Sequence, residues 1–393
     1  MPVDFKFIHC ADLHLGSRFK GVSESDPELG KKLFEAMFSS FRKIVDLALS
    51  EQADFVVVSG DVFDEENESP RVRYRLSEEL KRLDVPCIIA LGNHDFRRSW
   101  ESSIPFPDNV RVFSPEPDRM TVRAGKVTVE IIGRSFPSRH TEENFVASLR
   151  GNKHMFTVAV LHCNLDTFSD DRRYAPCSPS DLLNRDVDYW ALGHIHKRTV
   201  VRERPHAVYP GNIQGRDRTE TGEKGAYVVS VSNNEVSELR FVPTQELLWV
   251  EAEASISGKD MRSFLSEVRS KMPPGSVASL RVTGRGDLDA VLRLDPGMSK
   301  TISDHAGCIL SSLELNTSPS VDVSSFPENS IVRMVSESAR RTSSAEKDKI
   351  ISKICSTRLS ADIRRVFDNM SDEEVKAMVR DAEMLIAETL GAS

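Results

Sequence analysis

The chain is poor in the features that usually announce a binding framework. Its six cysteines, Cys10, Cys87, Cys163, Cys177, Cys308 and Cys355, are scattered over 393 residues and no two form a C-x-x-C pair. Neither a zinc ribbon nor a disulfide scaffold is suggested, and reduced, structural thiols are expected. No apolar run approaches the roughly 20 residues that cross a bilayer, and the opening Met1-Pro-Val-Asp-Phe-Lys lacks the basic segment and apolar stretch of a signal peptide. A cytoplasmic protein with no membrane partner is therefore expected. A basic excess is also missing: 52 Lys and Arg stand against 60 Asp and Glu, for a net charge of −8. This argues against a surface that is basic everywhere, the common route to nucleic-acid affinity through counterion release, so any such binding must be local or shared with a partner.

What is present is ordinary globular material. The chain is 39% hydrophobic and 28% charged, with 20 Gly and 19 Pro but no strict repeat, which at roughly 150 residues per domain allows about two or three units. Short β-branched runs alternate with helical spacing through the first two-thirds, the pattern of a layered α/β domain. Strands are predicted at 7–8, 55–58, 87–91, 156–161 and 189–192, with β-rich sequence at 199–201, 226–231 and 239–242. Leu33, Phe34, Met37, Phe38, Phe41, Ile44, Val45 and Ala48 recur at helical spacing, and a second helix is expected after Pro70. This domain is expected to span 1–243. A small α+β appendage follows over 244–315, with a helix carrying Met261, Phe264, Leu265 and Val268 ahead of a strand at 277–282. The remainder, 316–393, opens with a Ser-, Pro- and Asn-rich linker and then turns helical. Its last helix begins with a capping box, Ser371 and Glu374, followed by a stripe of Val375, Met378, Val379, Ala382, Leu385 and Ile386. That helix either closes its own domain or docks on a partner.

The chemistry is concentrated where strands end. Five apolar runs each lead into Asp, His or Asn: to Asp12 and His14, to Gly60-Asp61, to Gly92-Asn93-His94-Asp95, to His162, and to Gly193-His194-Ile195-His196. Ligands in open α/β sheets lie beyond the carboxyl ends of the strands, so five such clusters point to one site. In extended backbone Asp12 with His14, and His194 with His196, would leave from one face. Gly60, Gly92 and Gly193 each precede a candidate ligand and would let the chain turn or be approached closely. Four imidazoles, carboxylates and one amide, without thiolate, favour first-row divalent ions, with Mn²⁺, Fe²⁺ and Zn²⁺ all open. About seven ligands suit two ions better than one. A pair roughly 3.5–4 Å apart stabilises both attacking and leaving oxygens of an in-line phosphoryl displacement, which makes phosphoester hydrolysis the expected reaction.

These motifs resemble the calcineurin-like metallophosphoesterase signature. The tracts Tyr189-Trp-Ala-Leu-Gly-His-Ile-His-Lys197 and Tyr209-Pro-Gly-Asn-Ile-Gln-Gly-Arg216 make the likeness closer to DNA repair exonucleases of the SbcD and YhaO type, and Tyr174-Ala-Pro-Cys-Ser178 and Thr221-Gly-Glu-Lys-Gly225 resemble the YhaO branch. The resemblance covers residues 7–243. It implies a layered β-sandwich core flanked by helices, a small α+β capping domain and C-terminal helices. It implies that Asp12, His14, Asp61 and His196 bind one metal and that Asp61, Asn93, His162 and His194 bind the other, most often Mn²⁺. Asn93 and His94 would bind substrate, and His94 would assist the leaving group with Asp95 as its orienting partner. Some relatives carry a further His three residues after the bridging Asp, where this chain has Asp64. Also implied are DNA as substrate, a coiled-coil ATPase partner of the SbcC or YhaN kind, and a homodimer. A phosphatase or cyclic-nucleotide phosphodiesterase on the same scaffold is the alternative enzyme, and a non-catalytic DNA and ATPase adaptor the alternative of another class. His9, His140, His154, His206 and His305 have no motif partner and read as structural or solvated. Arg97, Arg98, Arg172, Arg173, Lys197, Arg198, Arg216 and Arg218 flank the motifs and serve either DNA phosphates or ordinary surface charge.

Overall fold

The computed structural model of the protein describes residues 4–17, 27–64, 69–95, 103–168 and 171–319, with isolated positions beyond. The chain divides into two compact units, Met1–Trp249 and Val250–Ser393. Mixed α/β structure is present in both.

In the first unit, parallel strands β1 (Phe5–Cys10), β2 (Phe55–Ser59), β3 (Cys87–Ala90) and β4 (Val110–Val112) lie side by side, with α1 (Pro27–Ser50) joining β1 to β2 and α2 (Pro70–Lys81) joining β2 to β3. Long crossovers are what parallel pairing requires. Ser69 caps α2, its hydroxyl accepting from the Val72 N–H at 3.3 Å, and Pro70 follows where a missing N–H costs nothing. A second sheet is built from β5 (Asp118–Ala124), β6 (Val127–Gly133), β7 (Thr157–His162), β8 (Tyr189–Gly193), β9 (Thr199–Glu203) and β10 (His206–Tyr209), in the order β5-β6-β7-β8-β10-β9. The chain then returns to the first sheet: β11 (Gly225–Ser232) pairs antiparallel with β1, and β12 (Glu235–Pro243) with β11. Strands β4, β5, β6 and β10 were not among those expected from the sequence.

The two sheets face one another. Phe7, Phe55, Val57 and Ile88 from the first share a core with Val129, Ile131, Val158, Val160, Tyr189 and Val208 from the second. Phe7 and Phe55 stack at 4.9 Å, and Tyr189 meets Phe7 edge-on at 5.1 Å; such pairs add about 0.5–1.5 kcal/mol beyond burial. Successive residues of a strand point to opposite faces, so Ile8, Val56, Val58 and Ile89 face away from the sandwich, yet all are buried. α1, which presents Leu33, Met37, Phe41 and Ile44 as buried residues, packs beside α2 and β11 and accounts for that cover. The outer face of the second sheet carries Trp190, Leu192 and Cys163 in a further cluster. The five described cysteines are buried and free.

The second unit holds a sheet in the order β13 (Trp249–Ser255), β14 (Val277–Arg285), β15 (Ile309–Ser318). α3 (Met261–Lys271), capped by Asp260 on the Ser263 N–H at 2.8 Å, follows β13. α4 (Leu288–Leu294) and α5 (Met298–Ala306) form the crossover between the parallel strands β14 and β15. Neither of these helices nor β15 was expected: α4 and α5 are only seven and nine residues long, too short for a helical period to stand out, and β15 mixes its apolar residues with Ser, Glu, Asn and Thr. The linker expected from 316 begins inside β15, which runs to Ser318, and most of the rest lies outside the described residues. At its far end the capping box does form, Ser371 N–H donating to Glu374 Oε2 at 2.6 Å and Glu374 N–H to Ser371 Oγ at 3.3 Å. The apolar stripe beyond it lies outside the described residues. No described helix is long and apolar enough to cross a membrane.

Candidate metal and active site

The parallel strands β1, β2 and β3 of one sheet and β7 and β8 of the other deliver their carboxyl ends to one place. The turns after them are locked together by backbone: Asp12 N–H donates to the Gly60 carbonyl at 3.0 Å and His14 N–H to the Asp61 carbonyl at 2.9 Å. His194 N–H donates to Asp12 Oδ1 at 3.0 Å, and His94 N–H to Asp61 Oδ1 at 3.0 Å. Asp12, His14, Asp61 and His194 all adopt positive φ, at 52°, 43°, 47° and 105°. Left-handed backbone at four non-glycine side chains is costly and persists only where surrounding bonds impose it. This corrects the extended-backbone argument from spacing: β1 stops at Cys10, and Asp12 and His14 converge because each sits in a tight turn. Gly193 is needed for approach, since a Cβ there would stand 1.7 Å from the Ser59 carbonyl oxygen.

Ligand atoms of Asp12, His14, Asp61 and His196 lie within 4.8 Å of one another. His14 Nε2 is 3.1 Å from His196 Nε2 and 3.6 Å from Asp61 Oδ2. On the other side of Asp61, His162 Nε2 is 3.3 Å from Asp61 Oδ2 and 3.0 Å from Asn93 Oδ1, and the His194 ring lies 5.2 Å from the His162 ring. The structure thus brings all seven expected ligands together, with Asp61 between the two groups. Asp12, His14 and His162 are fully buried, while His94, His194 and His196 remain partly open.

The electrostatics match a cation site. Burial holds the His14 and His194 imidazoles neutral, down to about 3. Burial also disfavours charge on His162, but Asp61 and Asp12 outweigh it and raise the ring to about 10. The reason is legible in the contacts. His162 Nδ1 donates to the Ser59 carbonyl at 2.9 Å and Nε2 faces two oxygens that only accept, so with no cation present both ring nitrogens hold a proton, and a bound cation would take the place of the one on Nε2. A cation among Nε2, Asn93 Oδ1 and Asp61 Oδ2 satisfies all three. The facing Nε2 atoms of His14 and His196 make the same demand, and nitrogen, carboxylate and amide oxygen together suit first-row divalent ions.

One expected pairing is not formed. Asp95 does not orient His94: its carboxylate accepts from the Gly92, Val62 and Phe63 N–H groups at 2.8, 3.2 and 2.8 Å, tying the turn after β2 to the turn after β3. Burial, reinforced by Asp61, pushes it up to about 7. The carboxylate that approaches His94 is Asp64, 3.9 Å from Nδ1. Sequence reasoning also passed over Glu220, whose Oε1 accepts from His196 Nδ1 at 2.6 Å. Burial alone would raise Glu220, but His196 and Arg216 hold it well below the usual carboxylate range. Only its place four residues after Arg216, between two resembling tracts, could have drawn attention to it. Of the histidines read as structural, His9 bridges Tyr189 Oη and Ser59 Oγ at 3.0 and 3.1 Å and is buried, lowered to about 3. Arg173 is paired with Asp171 at 2.6 Å, and Arg97 and Arg98 lie outside the described residues.

Comparison with known proteins agrees with this geometry. Residues 5–198 match the calcineurin-like phosphoesterase family. The chain is 36% identical to the uncharacterized metallophosphoesterase YhaO of Bacillus subtilis, over 68% of this chain and 67% of that protein. It is 22% identical to the DNA double-strand break repair protein Mre11 of Methanosarcina acetivorans, over 73% of this chain but only 47% of that one. With the Mre11 of Aeropyrum pernix the identity is 25%, over 67% and 69% of the two chains. A sandwich of two mixed sheets whose parallel strand ends gather two acceptor groups around one aspartate, together with these relatives, establishes that the chain belongs to the calcineurin-like metallophosphoesterase family, hydrolases of phosphoester bonds that use divalent metals.

Proposed function

We propose that the protein is the nuclease subunit of a DNA-processing complex, hydrolysing DNA phosphodiester bonds with two divalent ions. The observation that carries this reading is the gathering of Asp12, His14, Asp61, Asn93, His162, His194 and His196 about one point, with His94 beside them, in a chain whose relatives include proteins of DNA double-strand break repair. Asp12, His14, Asp61 and His196 would hold one ion; Asp61, Asn93, His162 and His194 the other; Mn²⁺ is the metal proposed. When bound, such a pair activates water and stabilises charge on the phosphoryl oxygens.

The chain's own residues supply the rest. Asp61 is fixed by the His94 N–H, so it presents Oδ2 to both groups without rotating. His94 is the more open imidazole, its side chain 31% exposed, and lies with its ring 5.2 Å from that of His14. With Nδ1 turned toward Asp64, Nε2 is the atom that meets the leaving oxygen and delivers its proton. Asn93 orients the phosphate beside it. The segment 244–315 acts as a cap that positions the duplex, and the C-terminal region docks a coiled-coil ATPase, with a homodimer as the working form in the cytoplasm. The net charge of −8 suits a protein whose partner contributes part of the DNA surface.

The test is Mn²⁺-dependent degradation of end-labelled linear duplex DNA, with a chromogenic phosphodiester alongside and the His94→Ala protein as control. Duplex cleavage by the wild type and not by the variant supports the nuclease. Hydrolysis of the small ester alone moves the phosphodiesterase reading ahead, and absence of both with intact metal binding moves the adaptor reading ahead.

A further inference from the structure

Three charged side chains stand behind the imidazoles of the His14 and His196 group. Glu220 Oε1 accepts from His196 Nδ1 at 2.6 Å, and Asp64 Oδ1 lies 3.4 Å from His14 Nδ1. Arg216 lies between these carboxylates, Nη1 at 3.5 Å from Asp64 Oδ1 and Nη2 at 3.5 Å from Glu220 Oε1. The other carboxylate oxygens are held as well: Asp64 Oδ2 by the Ser17 hydroxyl at 3.0 Å, and Glu220 Oε2 by the Arg216 N–H at 2.8 Å and Asn212 Nδ2 at 2.6 Å. Arg216 Nε is buried and makes no hydrogen bond among the described residues, so the fork is oriented through its Nη groups. All three side chains are mostly shielded, at 17%, 22% and 11% exposure for Asp64, Arg216 and Glu220.

A carboxylate only accepts, so Glu220 at 2.6 Å, nearer than Arg216 Nη2 at 3.3 Å, places the His196 ring proton on Nδ1. The Asp64 charge 3.4 Å from His14 Nδ1, where no hydrogen bond is formed, favours the same tautomer of His14, leaving each Nε2 as the donor of a lone pair. The two Nε2 atoms then face one another at 3.1 Å. We propose that Asp64, Arg216 and Glu220 form a single ionic clamp that fixes the tautomer and orientation of His14 and His196 together, making them positioning residues for one ion of the pair and not the other. The inference rests on the two-ion reading above. It gives Asp64 a task of its own in this chain: it holds the imidazole of His14 from behind, and Arg216 makes that hold depend on Glu220. Histidine ligands are commonly oriented by such carboxylates, and losing one costs about 10–100-fold in metal affinity; the coupling of two through one guanidinium is the added element.

The experiment is Mn²⁺ titration of the full chain without nucleic acid, followed by electron paramagnetic resonance of free Mn²⁺ and by calorimetry. Asp64→Asn and Glu220→Gln are each expected to weaken one of two ions by about 10–100-fold and leave the second unchanged, whereas Asn93→Ala weakens the second. The effects of Asp64→Asn and Glu220→Gln should be non-additive with Arg216 present and additive in Arg216→Ala, the mark of a shared element. Arg216→Lys, which keeps the charge without the fork, should fall between and serves if Arg216→Ala does not fold. Loss of both ions in parallel, no change in either, or tighter binding in Arg216→Ala overturns the clamp. A wild type that binds two ions but spares DNA leaves the clamp standing and defeats only the nuclease reading; one that binds no Mn²⁺ defeats both.

Discussion

Asp61 and His94 are neighbours with different proposed duties, which substitution would separate. Asp61 Oδ2 faces both His14 and His162, so Asp61→Ala is expected to lose both ions and all hydrolysis. His94→Ala is expected to keep two ions by elemental analysis while turnover falls about 10²–10⁴-fold, the usual worth of a positioned acid. Equal metal loss in the two proteins contradicts that division. His9, by contrast, acts on stability. Its folded value is lowered to about 3 from 6.5, so its contribution is complete above 6.5 and is lost as pH falls toward 3. In chelator, the fall in unfolding free energy between pH 7.5 and pH 5, measured by urea titration, should be about 2 kcal/mol smaller in His9→Gln than in wild type. At this scale most of the site was legible: Asp, His and Asn after apolar runs stand out wherever they occur. Asp95 and Glu220 were not, because a carboxylate's partner is decided by which turn lies across from it.

Among the elements, the decisive contact is between strand ends of different sheets. Gly193 closes β8 against the Ser59 carbonyl at the end of β2, and the same carbonyl accepts from His162 at the end of β7. A methyl group at 193 would stand 1.7 Å from that oxygen and 3.0 Å from His162 Nδ1. Gly193→Ala is expected to push the two sheets apart where the ligands meet, costing about 1–3 kcal/mol as other overpacked sites do. Its signature is lowered Tm in chelator together with lost Mn²⁺ binding; unchanged Mn²⁺ affinity would show that the ends tolerate separation. The central strands were readable because parallel strands buried on both faces must be runs of Val, Ile and Leu, as in the Val56-Val57-Val58 run of β2. β5 alternates exposed polar residues with few apolar ones, β6 breaks its apolar run with Thr128 and the buried Glu130, and α4 and α5 are short, so none of them rose above the surrounding sequence.

For the whole molecule, the proposed metal binding would be coupled to folding. The candidate ligands come from residues 12 to 196, and only the folded chain assembles them. An ion at 100 times its Kd adds about 2.7 kcal/mol of stability, so saturating Mn²⁺ should raise Tm well above its value in chelator, and the rise should be absent in Asp61→Ala. A wild-type Tm indifferent to Mn²⁺ would refute the two-ion reading. What the sequence by itself determined is the kind of fold and the kind of chemistry, since hydrophobic period sets strands and helices, and donor type sets the class of metal. What only the tertiary structure decided is which atoms meet. His162 finds Asn93 across 69 residues and His14 finds His196 across 182, and these contacts depend on two sheets closing face to face and on left-handed turns at their edges. Neither has a periodic signature along the chain, because both arise from packing between segments that are far apart in sequence.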